Sequence, residues 1–257
     1  MTAPLSPRAV VRPGGQALGT WVKLAAPEPT EILAHAGFDF VVVDMEHAPL
    51  SLETVYRLVN SASANGMVPF VRVPDHSPAL IQKVLDAGAH GLFVPRVDSL
   101  AEAEAIARAF SFPPEGIRGA GGTSRAGLWG LRSTAEYLDF GRTQAMLVVQ
   151  LESASGIADA ARIAALPAVS ALFVGAADLS LSLGETTGSP RVRDCIAAAR
   201  AAAAEAGKAF GLAFGPAPEA ARAAFAEGTD FVLSGNDATL LASAAVRLVS
   251  AVREEAG

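Results

Sequence analysis

The sequence predicts an α/β protein with a (β/α)8 barrel, the TIM-barrel architecture. Eight short apolar runs alternate with segments of helical periodicity along the chain. Most of these runs are continuously hydrophobic, as in parallel strands that are buried on both faces. The chain has 257 residues, or about 32 for each of eight strand–helix units. We expect residues 1–15 to be a disordered N-terminal extension and residues 16–257 to be a single barrel domain.

The elements can be placed in order. The predicted strands are 18–24, 38–44, 68–73, 91–95, 145–152, 171–174, 210–214 and 231–234. Ser77 before Pro78 and Ser189 before Pro190 are typical of helix starts, and Ser99 with Glu102 fits a capping box. Glycines suited to ending helices precede five of the strands, at Gly37, Gly66, Gly88, Gly207 and Gly228. A glycine-rich stretch lies within residues 112–144, which we expect to form a mobile or functional loop.

The composition excludes several classes of protein. With 20 basic and 26 acidic residues the net charge is −6, which argues against a nucleic-acid-binding face. Although 51% of residues are hydrophobic, no run approaches the ~20 apolar residues of a membrane span. The first residues lack the apolar core of a secretory signal, so we predict a cytoplasmic protein. The single cysteine, Cys195, excludes an intrachain disulfide and a thiolate metal cluster.

Polar residues follow the predicted strands at their carboxyl ends, where barrel enzymes carry their chemistry. Glu152 ends one predicted strand and Asp178 follows the next, and two adjacent carboxylates repel unless a cation or a proton lies between them. Oxygen ligands favour Mg²⁺ or Mn²⁺, with Co²⁺ as a further candidate. His47 comes three residues after Asp44, whose carboxylate could orient the ring. The alternative for each acidic residue alone is that it caps the next helix.

Several segments together resemble one family, the HpcH/HpaI aldolases, which are metal-dependent class II pyruvate aldolases. The matching segments are 37–49 (GFDFVVVDMEHAP), 71–74 (VRVP), 85–89 (LDAGA), 94–95 (VP), 113–119 (PPEGIRG), 150–152 (QLE) and 178–180 (DLS). The resemblance implies that Glu152 and Asp178 bind the metal, that His47 with Asp44 forms the acid/base dyad, and that Arg72 contacts the keto oxygen of bound pyruvate.

The same resemblance implies how the substrate is held. Gln150 would lie beside the bound oxoacid, and the backbone amides of Ala177 and Asp178 would hold its carboxylate. Trp21 and Leu212 would border the aldehyde. The family commonly has Gly-Pro before its Ala-Asp pair, whereas here Ala176 occupies the proline position, so we expect a less rigid metal loop. The resemblance also implies a homohexamer.

We therefore predict an aldolase that reversibly cleaves 4-hydroxy-2-oxo acids to pyruvate, or a close 2-oxo acid, and an aldehyde through a metal-stabilised enolate. Alternatives on the same barrel are oxaloacetate decarboxylation, acyl-CoA ester cleavage and noncatalytic oxoacid binding. A Schiff-base mechanism needs a lysine at the rim, and of the chain's lysines only Lys23 is suitably placed. Arg118 and Arg125 could steer anionic substrates, and the apolar stripe within 240–252 could pack on its own barrel or on another subunit.

Overall fold

The computed structural model describes residues 5–254. Eight parallel strands close a barrel in chain order, which confirms the predicted fold class. The strands are β1 (Ala17–Val22), β2 (Phe40–Asp44), β3 (Val68–Arg72), β4 (Gly91–Val94), β5 (Met146–Leu151), β6 (Val169–Val174), β7 (Ala209–Phe214) and β8 (Phe231–Asn236). Each of them overlaps its predicted counterpart. None of the helices in the described part of the chain is long and apolar enough to cross a membrane.

Helices surround the barrel. They are α1 (Pro7–Val10), α2 (Pro27–His35), α3 (Leu52–Ala64), α4 (Pro78–Asp86), α5 (Leu100–Phe110), α6 (Thr134–Asp139), α7 (Ala154–Ala158), α8 (Ala160–Ala164), α9 (Ala176–Leu183), α10 (Pro190–Glu205), α11 (Pro218–Ala226) and α12 (Asp237–Glu254). The predicted N-caps Ser77, Ser99 and Ser189 each accept a hydrogen bond from a backbone amide of the first helical turn. The capping box is incomplete, because the Glu102 carboxylate accepts the amide of Asp98 instead of that of Ser99.

The interior of the barrel is filled by aromatic rings. Phe40, Phe70, Phe93, Phe173 and Phe231 are fully buried, and their ring contacts are mostly edge-to-face. A Cβ atom on Gly19 would lie 2.4 Å from the Phe40 ring, so the neighbouring strand has room only for glycine there. Because aromatic side chains fill the interior, no ligand cavity lies inside the barrel that the described residues form, and cavities are found at its two ends.

A second hydrophobic layer lies between the strands and the helices. Residues of one strand alternate between the two layers: Val42 faces the aromatic interior, whereas Val41 and Val43 pack under the helices. The same alternation decides which residue of each strand end faces the rim of the barrel.

Residues 5–15 differ from the expected disordered extension, while residues 1–4 lie outside the described residues. The segment forms α1 and packs under the amino-terminal end of the barrel, where Val11 is 2% exposed. The Arg8 guanidinium donates to the Ala145 carbonyl at 3.2 Å and to Ser170 Oγ at 3.1 Å. These contacts to the starts of β5 and β6 hold a segment whose own composition gave no sign of order.

The long connection between β4 and β5 is folded. It contains a 3₁₀ segment (Arg125–Gly130) that is interrupted by left-handed backbone at Leu128 and Trp129, followed by α6 and a π-helical turn (Phe140–Gln144). It follows α5 and leads into β5, so it covers the amino-terminal end of the barrel. Arg118 and Arg125 are therefore at the end opposite the strand termini that carry the candidate catalytic residues. The expectation that they steer substrate into that site is wrong for this chain.

Candidate active site

Side chains from several strand ends meet around a cavity of about 330 Å³ at the carboxyl-terminal rim. Of the residues predicted from the sequence, the cavity is lined by Trp21, His47, Arg72, Gln150, Ala177 and Asp178. Asp44 and Glu152 are buried, at 0% and 6% exposure, and contact residues of the cavity wall.

The innermost feature of the site is an ion pair between neighbouring strands. The register of β2 and β3 places Asp44 opposite Arg72. Arg72 Nε and Nη2 donate to the two Asp44 oxygens at 2.9 and 2.7 Å, and Lys23 Nζ lies 3.0 Å from Oδ2. Burial would raise the pKa of Asp44, but the hydrogen bonds and charges of Arg72 and Lys23 outweigh it and lower that pKa. These contacts favour the ionised form of Asp44, which fixes the guanidinium.

The guanidinium of Arg72 is also held on its other sides. Its Cζ lies 4.1 Å from the centroid of the Trp21 ring, a cation–π arrangement. Its Nη1 lies 3.1 Å from Glu46 Oε2. A buried arginine fixed by two carboxylates and an indole is a preorganised donor, because it loses little side-chain entropy when a substrate oxygen binds.

The histidine differs from the expected dyad. The Asp44 carboxylate accepts the backbone amide of His47 at 3.2 Å, and its oxygens otherwise bond Arg72, Lys23 and the Glu46 amide. The carboxylate within ion-pair distance of the His47 ring is that of Glu46, at 3.7 Å from Nε2. The reason is the strand register, which turns Asp44 towards Arg72 and leaves the imidazole 54% exposed in the cavity.

Glu152 is the second buried carboxylate of the site. Its Oε2 accepts the amide of Arg96 at 3.0 Å, and its Oε1 accepts from Gln150 Nε2. Burial, aided by the negative charge of Asp178 and opposed by the Gln150 hydrogen bond, raises the pKa of Glu152 to about 7. A cation beside Glu152 would offset the cost of burying its negative charge.

Glu152 and Asp178 fit a divalent metal ion. Gln150 Oε1 is buried without a hydrogen-bond partner, so the oxygens around Glu152 are not saturated by the protein. No group of three or more acidic, histidine or cysteine side chains suited to a metal occurs within residues 5–254. Two carboxylates leave coordination positions for water and substrate, as Mg²⁺ sites commonly do.

The start of α9 supplies backbone donors beside these carboxylates. Gly175 is the N-cap, and Ala177 and Asp178 follow in the first turn, where amides have no partner within the helix. Both residues line the cavity. The first turn of a helix favours a bound anion through its free amides and its dipole, so a substrate carboxylate fits here.

Gly175 is required by the position of Glu152. A Cβ atom at residue 175 would lie 2.7 Å from Glu152 Oε1 and 3.1 Å from its Cγ. We expect Gly175→Ala to displace the carboxylate and to weaken Mn²⁺ binding about 10- to 100-fold, as other changes around metal ligands do. Titration with Mn²⁺ measures this. Gly188→Ala is the matched control, because a Cβ there meets no atom within 4 Å; equal Mn²⁺ affinity in the two variants would contradict the expectation.

One predicted residue does not belong to the site. Leu212 is 6% exposed and packs in the layer between the strands and the helices. The next residues of β7, Ala213 and Phe214, line the cavity instead. Side chains alternate along a strand, so an error of one position moves the assigned residue to the other face.

Three contributing residues were missed from the sequence. Lys23 was considered only as a Schiff-base lysine, yet it pairs with Asp44; Glu46 lies within the quoted segment 37–49 and contacts Arg72. Arg96 has a φ of 53°, which is strained for a residue with a long side chain. This backbone conformation accompanies its amide bond to Glu152, and its Nη2 donates to the Pro74 carbonyl at 2.8 Å. The sequence placed Lys23 near the carboxyl end of the predicted strand 18–24, and this position was a signal for a residue of the site.

Comparison with known proteins identifies the same family that the sequence segments resemble. The model of the HpcH/HpaI aldolase/citrate lyase family matches residues 17–244. A hydroxypyruvate/pyruvate aldolase of Chromohalobacter salexigens is 38% identical over 97% of this chain and 98% of its own. A 5-keto-4-deoxy-D-glucarate aldolase of Shigella dysenteriae is 34% identical over 92% of both chains. The crystal structure of an HpcH/HpaI aldolase/citrate lyase family protein from Burkholderia cenocepacia superimposes with a TM-score of 0.87 at 36% identity, covering 93% of this chain and 95% of the other.

Proposed function

The chain belongs to the HpcH/HpaI aldolase/citrate lyase family and is an enzyme of the aldolase and lyase class, and on this premise we propose that it is a divalent-metal-dependent aldolase. Its substrates are 4-hydroxy-2-oxo acids, which it cleaves reversibly to pyruvate, or a close 2-oxo acid such as hydroxypyruvate, and an aldehyde. The names of two relatives, a hydroxypyruvate/pyruvate aldolase and a 5-keto-4-deoxy-D-glucarate aldolase, support this substrate class.

The observation that carries the proposal is the fixed guanidinium of Arg72 in the wall of a cavity that Asp178 also lines. Carbon–carbon cleavage next to a ketone leaves negative charge on the keto oxygen. Arg72 donates to that oxygen, and the amides of Ala177 and Asp178 hold the carboxylate of the oxoacid. Gln150 Oε1 is an unpaired acceptor beside them, suited to a hydroxyl or a water.

A divalent ion held by Glu152 and Asp178 supplies, when bound, Lewis-acid polarisation of the keto and carboxylate oxygens. His47 takes the proton from the 4-hydroxyl, its ring being the exposed base of the cavity. The bond between C3 and C4 then breaks, its electrons move to the oxoacid as an enolate, and the aldehyde leaves. Protonation of the enolate at C3 completes the cleavage.

The direct test is turnover. Purified protein with Mg²⁺ or Mn²⁺ is incubated with pyruvate or hydroxypyruvate and a panel of aldehydes, and the 4-hydroxy-2-oxo acid is quantified. We expect condensation with several aldehydes and release of the oxoacid in the reverse direction. Tight binding of pyruvate without turnover of any aldehyde or 4-hydroxy-2-oxo acid would favour a noncatalytic binding role instead.

The proposed base can be tested separately. His47→Ala should lower kcat by about 10²- to 10⁴-fold, the usual contribution of a general base. Pyruvate binding, measured by calorimetry, should be retained, because the residues proposed to hold the oxoacid are unchanged. His35→Ala, on an exposed histidine of α2 that is 73% accessible, is the control. Turnover of His47→Ala within a few-fold of the unsubstituted enzyme would remove His47 from the mechanism.

We further propose that the protein is a homo-oligomer, with a hexamer as the expected state. On α12, Leu241, Leu248 and Val252 are 65%, 66% and 63% exposed, whereas Leu240 packs against the core. A row of exposed apolar residues is typical of an interaction surface. We expect light scattering to give the mass of a multimer and Leu241→Glu with Val252→Glu to reduce it, with Ser250→Glu as control. A monomer for the unsubstituted protein would refute the proposal.

A further inference from the structure

A second cavity lies at the amino-terminal end of the barrel and has a volume of about 520 Å³. Its wall is formed by the last residues of α3 and α4, by the residue before β4, and by the connection between β4 and β5. The volume is in the range of small-molecule binding sites. Since phenylalanine rings fill the barrel interior, this cavity is separated from the candidate active site.

The wall of this cavity is rich in positive charge. Arg118, Arg125 and Arg132 all line it. Arg118 Nη2 lies 3.4 Å from Asp86 Oδ1. The other two are held by neutral oxygens: Arg125 Nε donates to Asn60 Oδ1 at 2.6 Å, and Arg132 Nη1 donates to the Ala126 carbonyl at 3.1 Å. Within residues 5–254, the carboxylate of Asp86 is thus the one acidic group in ion-pair distance of the three guanidinium groups.

Two buried nitrogen atoms of the wall have no partner. Arg118 is 4% exposed and stacks on Phe112 at 4.4 Å, and its Nε has no hydrogen bond. His90 Nδ1 is also buried and unpartnered. Native proteins rarely leave buried polar atoms unsatisfied unless a water or a ligand completes them. Burial, followed by the positive charges of Arg125 and Arg132, lowers the pKa of His90 to about 4.

We propose that this cavity binds a small organic dianion, a phosphate monoester or a dicarboxylate, between Arg118, Arg125 and Arg132. Guanidinium groups present paired donors that match phosphate and carboxylate oxygens. The apolar residues Leu128 and Phe140 line the remainder of the cavity, so it suits a ligand with an uncharged body attached to the anionic group. The site is independent of the proposed aldolase activity.

Calorimetry at low ionic strength tests the proposal with glycerol 3-phosphate, inorganic phosphate and succinate as probes and glycerol as the neutral control. We expect saturable binding of glycerol 3-phosphate or succinate; which of the two binds more tightly distinguishes a phosphate ligand from a dicarboxylate. Binding of inorganic phosphate alone, with neither organic probe, would contradict an organic ligand. Saturation by none of the probes through the millimolar range would overturn the proposal.

Substitutions then locate the binding. Arg125→Gln and Arg132→Gln change half-buried side chains, so folding is less at risk than with the buried Arg118. Each should weaken the binding about tenfold, the effect of one hydrogen bond to a charged group. Arg142→Gln is the matched control, an exposed arginine of the same connection that donates to the Pro113 carbonyl. Unchanged affinity in both cavity variants would overturn the proposal.

A direct reporter is available in His90. The chain has four histidines, so the side-chain ¹⁵N signals of His90 can be assigned by their loss in His90→Gln. Because an anion would offset the neighbouring positive charges, we expect the probe that binds to shift these signals and raise the pKa of His90. A bound probe that perturbs His47 and leaves His90 unchanged would place the ligand in the rim cavity instead.

Discussion

Replacement of Arg72 by methionine should abolish aldol turnover, lowering kcat by about 10³-fold or more. One preorganised donor to a developing oxyanion contributes roughly 10²- to 10³-fold, and Arg72 here is also the partner that fixes Asp44. A lysine at the position keeps a charge but loses the paired donors and the stacking on Trp21, so Arg72→Lys should be only partly active.

The stability of the variant must be measured with its activity. Removing Arg72 leaves Asp44 buried with Lys23 as its remaining ion-pair partner, and breaking a buried pair typically costs about 3–5 kcal/mol. We expect a lower Tm for Arg72→Met and partial recovery of Tm, without recovery of turnover, when Asp44→Asn is added. Arg57→Met, on an exposed pair with Glu53, is the control. Turnover in the double variant near that of the unsubstituted enzyme would contradict a direct role for Arg72.

The second large loss of turnover is expected when divalent metal ions are removed. We expect EDTA to lower turnover by on the order of 10³-fold, consistent with several kcal/mol of Lewis-acid stabilisation. Added Mg²⁺ or Mn²⁺, and Co²⁺ as a third ion, should restore it. Measured rates before chelation, after chelation and after each addition identify the preferred ion.

The same experiment separates the metal mechanism from Schiff-base chemistry. Lys23 lies at the rim, but its ammonium group is engaged in an ion pair with the buried Asp44 carboxylate at 3.0 Å. Borohydride in the presence of pyruvate should therefore leave the mass of the protein unchanged. Activity that survives complete chelation together with borohydride labelling of Lys23 would replace the metal mechanism.

The strand ends could be predicted from the sequence because they obey simple rules. Continuous apolar runs mark buried parallel strands, and polar residues directly after them must lie at one rim. His47 and Asp178 were placed at this rim in this way, and both line the cavity. The family resemblance added roles that strand positions alone do not give.

What could not be predicted depends on register and backbone conformation. Asp44 pairs with Arg72 because the register of β2 and β3 places the two residues opposite each other. No rule based on composition predicts that register to the single residue. The wrong assignment of Leu212 has the same origin. Arg96 reaches Glu152 through a left-handed backbone conformation, and arginine carries no sequence preference for it. The connection between β4 and β5 lacks hydrophobic periodicity, so the cavity that it covers was not foreseen.

The aromatic filling of the barrel has an evolutionary consequence. A solid centre insulates the two ends of the molecule from each other, so residues at the rim can be exchanged without altering the packing beneath the opposite end. Substrate range can therefore drift through changes such as those at Ala213 or Phe214 while the scaffold is kept. Rim positions such as Ala213, which take no part in the buried Arg72–Asp44 ion pair, are therefore suitable targets for directed evolution.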